Sequence, residues 1–170
     1  LNIGDDLWIE MVKPMNKYGQ EVELYKENSL TSLAVDAGVL IGYKESKVVL
    51  LSDNTPYDPQ LTGSTLDRMK GCDILAFAYN GSASDFPLCY DNLSNQEKDE
   101  IYIKRETLRE KINTKLIELL QPRMLMPYSS DFALAGPMAK KFVEWNSGHW
   151  WTNRKEAAQH YEETLNIPSI

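Results

Sequence analysis

The fold of this chain is decided by the stretch Gly38-Val-Leu-Ile-Gly-Tyr43, Lys44-Glu45-Ser46, Lys47-Val-Val-Leu-Leu51. Two runs rich in β-branched and aliphatic residues are separated by about three polar residues, which is typical of a β-hairpin with a short loop. The second run is almost continuously apolar, so we expect both of its faces to be covered. It ends at Ser52-Asp53-Asn54-Thr55-Pro56, where turn-forming side chains and a proline interrupt the strand.

Further strands and helices are predicted on both sides of the hairpin. Upstream, Leu7–Val12 is apolar and Glu21–Tyr25 alternates between polar and apolar residues, which is the period of a half-buried strand. Downstream, we predict helices over Thr62–Met69, 95–121, Pro137–Trp145 and Asn153–Leu165, and strands over Asp73–Tyr79 and Arg123–Met126. This alternation predicts one α/β or α+β unit over residues 1–170.

The long helix over residues 95–121 has the clearest start. Ser94 and Glu97 have the spacing of a capping box, in which each side chain bonds a free backbone N–H of the other residue. The apolar residues of the helix recur at helical spacing. We therefore expect it to pack on a sheet face through Leu108, Ile112 and Leu116.

Composition and charge restrict the classes of function. The chain has 170 residues, with 18 Lys and Arg against 25 Asp and Glu, and its net charge of −7 argues against a nucleic-acid or anionic-membrane surface. No apolar run approaches the roughly 20 residues of a membrane span, and no signal peptide is visible. Two cysteines cannot form a disulfide framework, which favours a reducing cytoplasm. Because the chain begins at Leu1 rather than Met, we expect it to be part of a longer protein.

Asp53 is the residue that most suggests chemistry. It follows the end of a buried strand, where a carboxylate is held by the strand but faces the sheet edge at which α/β proteins collect ligands. An aspartate in a turn also accepts backbone N–H bonds, and the spacing alone favours this turn-capping role.

Two more loops follow predicted strands. Residues 79–87 read Tyr-Asn-Gly-Ser-Ala-Ser-Asp-Phe-Pro, which suits either the close approach of a ligand or a tight packed turn. Residues 126–131 read Met-Pro-Tyr-Ser-Ser-Asp. If the three preceding strands run parallel, all three loops converge on one edge of the sheet.

The cysteines and histidines give no signature of a site. Cys72 and Cys89 are interpreted as small buried hydrophobes, since neither has a histidine nearby in sequence to activate a thiolate. His149 lies in an aromatic cluster suited to packing or stacking, and His160 is interpreted as a surface or edge residue of the last helix. Two histidines at this separation do not match a zinc motif.

Several segments together resemble the metallo-β-lactamase fold family. The hairpin, with Val35-Asp-Ala-Gly38 before it and Asp53 after it, looks like the second half of such a protein, in which a strand ends in a metal-bridging aspartate. The subfamily that it resembles most is the metallo-β-lactamase-like part of CMP-N-acetylneuraminate hydroxylases, through residues Phe77–Pro87, Leu120–Tyr128 and Phe132. These segments cover the greater part of the chain, from residue 35 to residue 145.

The resemblance implies half of an αββα sandwich, a mixed sheet with helices on one face and a metal held at one edge. Asp53 would be the one metal ligand from this chain. The family's His-x-His-x-Asp-His ligand set is not in this sequence, and residues 126–131 lack the late histidine. The resemblance therefore implies zinc or iron in the full-length parent and none in this chain alone.

Two classes of function remain open at this point. The chain is either the C-terminal half of a metal-dependent hydrolase-like enzyme, inactive by itself, or a non-catalytic binding domain that keeps the fold with a degenerate metal site. A third alternative, an oxygenase-linked domain, lacks the Cys and His spacing of an iron–sulfur cluster. We expect the chain to pair with its own N-terminal half or with a second copy. The enzyme alternative is compatible with a small-molecule substrate.

Overall fold

The computed structural model describes residues 4, 6–12, 38–51, 64–79, 92–128, 140 and 154–170. Five strands and three helices have described bounds, in the order β1 (Leu7–Val12), β2 (Gly38–Tyr43), β3 (Ser46–Leu50), α1 (Ser64–Met69), β4 (Ile74–Ala78), α2 (Asn95–Leu120), β5 (Met124–Tyr128) and α3 (Arg154–Leu165). Lys140 is also helical, whereas the rest of the helix predicted over Pro137–Trp145 and the strand predicted over Glu21–Tyr25 lie outside the described residues.

The five strands form one mixed sheet in the order β1-β2-β3-β4-β5. The strands β1, β2 and β3 pair antiparallel, and β3, β4 and β5 pair parallel. The predicted hairpin is confirmed, with a loop that is shorter than expected. Because Ser46 pairs with Tyr43, only Lys44 and Glu45 form the turn, and Lys44 takes a left-handed φ of 52°.

Helices supply the crossovers that parallel neighbours require. The helix α1 lies between β3 and β4 in sequence, and α2 lies between β4 and β5. The capping box of α2 is confirmed, and the hydrogen bonds that the Ser94 hydroxyl and backbone N–H make to the Glu97 carboxylate lower the pKa of Glu97. At its other end, Gln121 takes a left-handed φ of 49°. Among the described helices, none has an apolar stretch long enough to cross a membrane.

One face of the sheet forms the hydrophobic core together with the helices. Strand pairing places Leu40, Val49, Leu75 and Leu125 side by side, and each of them is at most 1% exposed. The helical side chains in the same cluster are Leu66 and Met69 of α1, Leu116, Ile117 and Leu120 of α2, and Ala157 and Tyr161 of α3. The predicted mixed sheet is therefore present, and the three helices with described bounds pack on one of its faces.

The opposite face of the sheet is apolar and only partly buried. Side chains alternate between the two faces along each strand. The half-exposed face consists of Ile9, Met11, Val39, Ile41, Val48, Leu50, Ile74, Met124, Met126 and Tyr128. None of these residues belongs to the core cluster of the described residues, although Ala76 and Ala78 between them are buried. The expectation of two covered faces for β3 stays a prediction: α1, α2 and α3 cover one face, and on the other face Val48 and Leu50 are partly buried.

The buried side of α2 differs from the predicted stripe. Leu116 is buried as expected and Ile112 is half-buried, but Leu108 is 55% exposed, so its predicted core role is wrong. The buried positions of α2 include Asn113, whose amide finds a hydrogen-bonding partner at the end of β4. Such a tertiary partner makes a polar side chain acceptable at a position where periodicity alone predicts an apolar one.

A set of polar contacts ties together the amino ends of the parallel strands. The Asp73 carboxylate accepts a hydrogen bond from the Lys47 backbone N–H at 2.8 Å and from Nη1 of Arg123 at 2.9 Å. Nζ of Lys47 in turn donates to the carbonyl oxygens of Arg68 and Lys70 at the end of α1, at 3.0 and 2.6 Å. These charged groups stabilise the fold at the amino ends of β3, β4 and β5.

Candidate functional site

The carboxyl ends of three parallel strands lie at one edge of the sheet. Since β3, β4 and β5 are parallel neighbours, this edge is marked by Leu51, Tyr79 and Tyr128, and we refer to it as the carboxyl edge. The sequence predicts that the loops after these three strands converge if the strands run parallel. The strands do run parallel, so this condition is met. Open α/β sheets bind their ligands at such an edge.

A side chain from β5 joins the two outer strands of this edge. The Tyr128 hydroxyl donates a hydrogen bond to the carbonyl oxygen of Leu51, which follows β3 directly. The Leu51 N–H donates to the carbonyl oxygen of Ala76 at 2.8 Å. Both backbone polar groups of Leu51 are therefore used, and the end of β3 is fixed relative to β4 and β5.

A second contact holds the end of β4 against the helices. Nδ2 of Asn113 donates to the carbonyl oxygen of Ala78 at 3.1 Å and to the Tyr161 hydroxyl at 3.3 Å. The Tyr161 ring packs edge-to-face on Phe77, with ring centroids 5.1 Å apart. Burial raises the pKa of Tyr161 to about 12, so this hydroxyl stays protonated at neutral pH.

Sequence reasoning missed both of these contacts. Asn113 shares its helix side with Leu116, Ile117 and Leu120, and an amide beside three apolar residues is a usable signal for a buried hydrogen bond. For Tyr128 no sequence signal existed, because its acceptor is a backbone carbonyl 77 residues away.

Other polar groups of α2 are also buried. Lys98 and Glu106 are 9% and 5% exposed, and Nε of Arg109 lies 4.0 Å from Oε1 of Glu106. Burial raises the pKa of Tyr102, which lies between Lys98 and Glu106 on the same helix. Polar residues at this spacing are equally typical of a helix face exposed to solvent. The sequence pattern therefore does not show that these side chains are buried.

The predicted metal ligand lies outside the described residues. Asp53 belongs to residues 52–63, and the described chain stops two residues before it, at Leu51. The loop residues 80–91, Asp131, Cys89 and His149 lie outside it as well. The role of Asp53 therefore stays a prediction.

The described residues do not form a metal site by themselves. Within the ranges given above, no three His, Cys, Asp or Glu side chains lie close enough together to hold an ion. Zinc sites in proteins recruit three or four such ligands. A metal at the carboxyl edge would thus need ligands other than the described side chains.

The interpretation of Cys72 as a buried hydrophobe is confirmed. Its side chain is fully buried, and this burial raises the pKa of the thiol to about 11. A thiol with so high a pKa is a poor nucleophile and a poor metal ligand at neutral pH, since both roles need the thiolate.

His160 is half-buried at the junction of two helices. Its Nε2 lies 2.7 Å from Oε1 of Glu110 on α2, and its ring lies edge-to-face with Tyr161. This placement agrees with the interpretation as an edge residue of α3, and the contact with Glu110 joins α3 to α2.

Comparison with known proteins gives no family assignment: no protein-family model matches the chain, and no curated protein matches it.

Proposed function

We propose that this chain is the C-terminal half of a metal-dependent, hydrolase-like protein of the metallo-β-lactamase fold, to which it contributes Asp53 as one carboxylate ligand. The observation that carries the proposal is the two-sided character of the sheet. One face is buried under α1, α2 and α3, and the other is apolar and half-exposed. A sheet of this kind is what one half of an αββα sandwich presents before its partner sheet packs against it.

The half-exposed face supports an interface between two sheets. It spans all five strands and carries Val, Ile, Leu and Met side chains. Met11 is 61% exposed, the other large side chains of this face are partly buried, and Ala76 and Ala78 between them are buried. Large contiguous apolar patches are rare on the surfaces of soluble monomers and mark interaction sites. We propose that its occupant is the sheet of the protein's own N-terminal half, or, for the chain alone, a second copy.

The carboxyl edge supports the proposed position of the metal. In the proposed arrangement Asp53 follows the end of β3 at this edge, and imidazole ligands come from the N-terminal half. A bound zinc or iron ion supplies a water of lowered pKa and polarises a carbonyl or phosphoryl oxygen. This chain provides the rigid strand ends that orient its one carboxylate. A small molecule is the proposed substrate, and the cytoplasm is the proposed location.

Metal analysis of the full-length protein tests this proposal. Elemental analysis after dialysis against a chelator should show a sharp loss of metal in Asp53→Ala. The matched control Asp67→Ala removes an exposed carboxylate of α1 and should leave the metal content unchanged. The chain alone should retain no metal, because one carboxylate is a poor site.

Two results would contradict the proposal. Unchanged metal and activity in Asp53→Ala would return Asp53 to the role of a turn cap and favour the non-catalytic binding domain. Tight, near-stoichiometric metal in the chain alone would show that a complete site lies within these 170 residues.

A further inference from the structure

One side of α2 changes from apolar to polar along the helix. Between residues 116 and 120 this side packs in the core cluster. Nearer to the start of the helix the same side carries polar residues at spacings of three or four, which places them in one row. We refer to this row as the polar stripe, and it consists of Tyr102, Glu106, Arg109 and Asn113.

The polar stripe lies at the carboxyl edge of the sheet. Asn113 bonds the carbonyl oxygen of Ala78 at the carboxyl end of β4, whereas Leu120 at the other end of α2 accepts from the Gly71 N–H, which precedes β4. Since a helix rises about 1.5 Å per residue, Arg109 lies about 6 Å and Tyr102 about 16 Å farther along the axis than Asn113. The stripe therefore continues past the strand ends, where open α/β sheets bind ligands.

Two polar atoms of the stripe are buried and unsatisfied. Among the described residues, Oδ1 of Asn113 and Nε of Arg109 have no hydrogen-bond partner. Asn113 is 0% exposed, and Oε1 of Glu106 is too far from Nε of Arg109 for a hydrogen bond, at 4.0 Å. A buried polar atom without a partner costs free energy, and in folded proteins such an atom is usually bonded to water, an ion or a ligand.

Tyr161 of α3 lies beside the stripe. Its hydroxyl is 3.3 Å from Nδ2 of Asn113. Burial raises the pKa of this tyrosine most, and the charges of Glu110, Glu106 and Arg109 also act on it. The unsatisfied atoms are thus close to the junction of α2 and α3 at the end of β4.

The chemistry of these groups restricts the ligand. Oδ1 of Asn113 needs a donor and Nε of Arg109 needs an acceptor, and the two residues lie on adjacent turns of one helix face. A negatively charged ligand would be repelled by Glu106 and Glu110, and a positively charged one by Arg109. An uncharged group that carries an acceptor beside a donor meets both needs, and a primary carboxamide is such a group.

We propose that the polar stripe of α2, together with Tyr161 of α3, binds an uncharged small molecule through a carboxamide-like group, which accepts a hydrogen bond from Arg109 and donates one to Asn113. This site consists of described residues and depends neither on Asp53 nor on a metal. It is therefore independent of the proposed function.

A titration of the ¹⁵N-labelled chain with three probes of similar size tests the ligand class. Benzamide is uncharged, benzoate is negative and benzylamine is positive at neutral pH. We expect benzamide alone to shift the NMR signals of the Asn113 side-chain amide and of the backbone amides of residues 106–113. Absence of these shifts with benzamide, or equal shifts with either charged probe, would overturn the proposal.

Arg109→Leu tests the assigned donor. It should weaken the binding of benzamide about tenfold or more, because a hydrogen bond from a charged group is lost. Arg105→Leu makes the same change at an exposed position of α2 and should leave the dissociation constant unchanged. Equal dissociation constants in the two variants, with circular dichroism showing that both are folded, would overturn the proposal. If Arg109→Leu does not fold, the three-probe titration of the unaltered chain decides.

Discussion

The side-chain amide of Asn113 donates a hydrogen bond to the carbonyl oxygen of Ala78 at a distance of 3.1 Å. This bond joins the middle of α2 to the carboxyl end of β4, and the same Nδ2 also donates to the Tyr161 hydroxyl. One fully buried amide thus connects β4 with both α2 and α3. The edge at which we propose a site is braced from the helix side by this residue.

Asn113→Ala should lower the free energy of unfolding by about 1–3 kcal/mol, because the buried Ala78 carbonyl loses a donor. Chemical denaturation followed by circular dichroism measures the change. Lys111→Ala, at an exposed position on the same helix, should have little effect. Equal stability of the two variants would show that the Asn113 amide has no structural role.

Gly42 should not tolerate a larger side chain, because the Trp8 indole lies directly over it. A Cβ at position 42 would lie 2.0 Å from Cε2 of Trp8, which no real contact allows. We expect Gly42→Ala to cost about 1–3 kcal/mol through overpacking. Gly4→Ala is the control, since a Cβ at position 4 meets nothing within 4 Å.

A double-mutant cycle tests the cause of the Gly42 effect. In a Trp8→Ala background the clash is absent, so Gly42→Ala should cost much less than in the unaltered protein. Equal costs in the two backgrounds would assign the effect to the backbone instead.

The stability of the protein should fall at alkaline pH, in part because of Cys72. The pKa of this thiol is raised from 9.0 to about 11 in the folded state, so the folded chain holds a proton that the unfolded chain releases. The stabilisation is fully present below pH 9 and is lost as the pH rises from 9 toward 11. The expected loss is on the order of 2 kcal/mol.

Urea denaturation at a series of alkaline pH values measures this loss. Cys72→Ala should be less stable at neutral pH because of a cavity, but its stability should fall less steeply above pH 9. Parallel curves for the two proteins would contradict the role of the thiol. Tyr161, whose pKa is raised to about 12, continues to contribute to the slope in both.

Local signals predicted most of the fold. The hairpin and the start of α2 at Ser94 follow from strand propensity and capping. These signals lie within a few residues of the feature that they determine. Sequence reasoning was correct where the physical cause is local.

The errors come from interactions between distant residues. Leu108 matches an apolar periodicity but faces solvent, whereas Asn113 is buried because Ala78 supplies its partner. The order of the strands and the bond from Tyr128 to Leu51 likewise depend on residues far apart in sequence. For the candidate site, the sequence predicts a shared edge only if the strands are parallel. The contacts that hold this edge, from Asn113 to Ala78 and from Tyr128 to Leu51, join distant residues and could not be predicted from local sequence.

Val48→Lys tests whether the half-exposed face is an interface. Val48 and Val49 are adjacent on β3 but point to opposite faces, and Val49 is fully buried. Val48→Lys should keep the circular dichroism spectrum of the fold and weaken association, because a charge is costly in an interface between sheets. Val49→Lys should prevent folding. Unchanged association of a folded Val48→Lys variant would show that the face is not the contact surface.

The most direct test of the central claim, that this chain is one half of a two-sheet sandwich, is its molar mass in solution. Size-exclusion chromatography with light scattering at low micromolar concentration should show the chain paired, either with its N-terminal half when the two are expressed together or with a second copy. A clean monomer near its own mass of 19.4 kDa would contradict the claim, because it would show that the chain closes its own core.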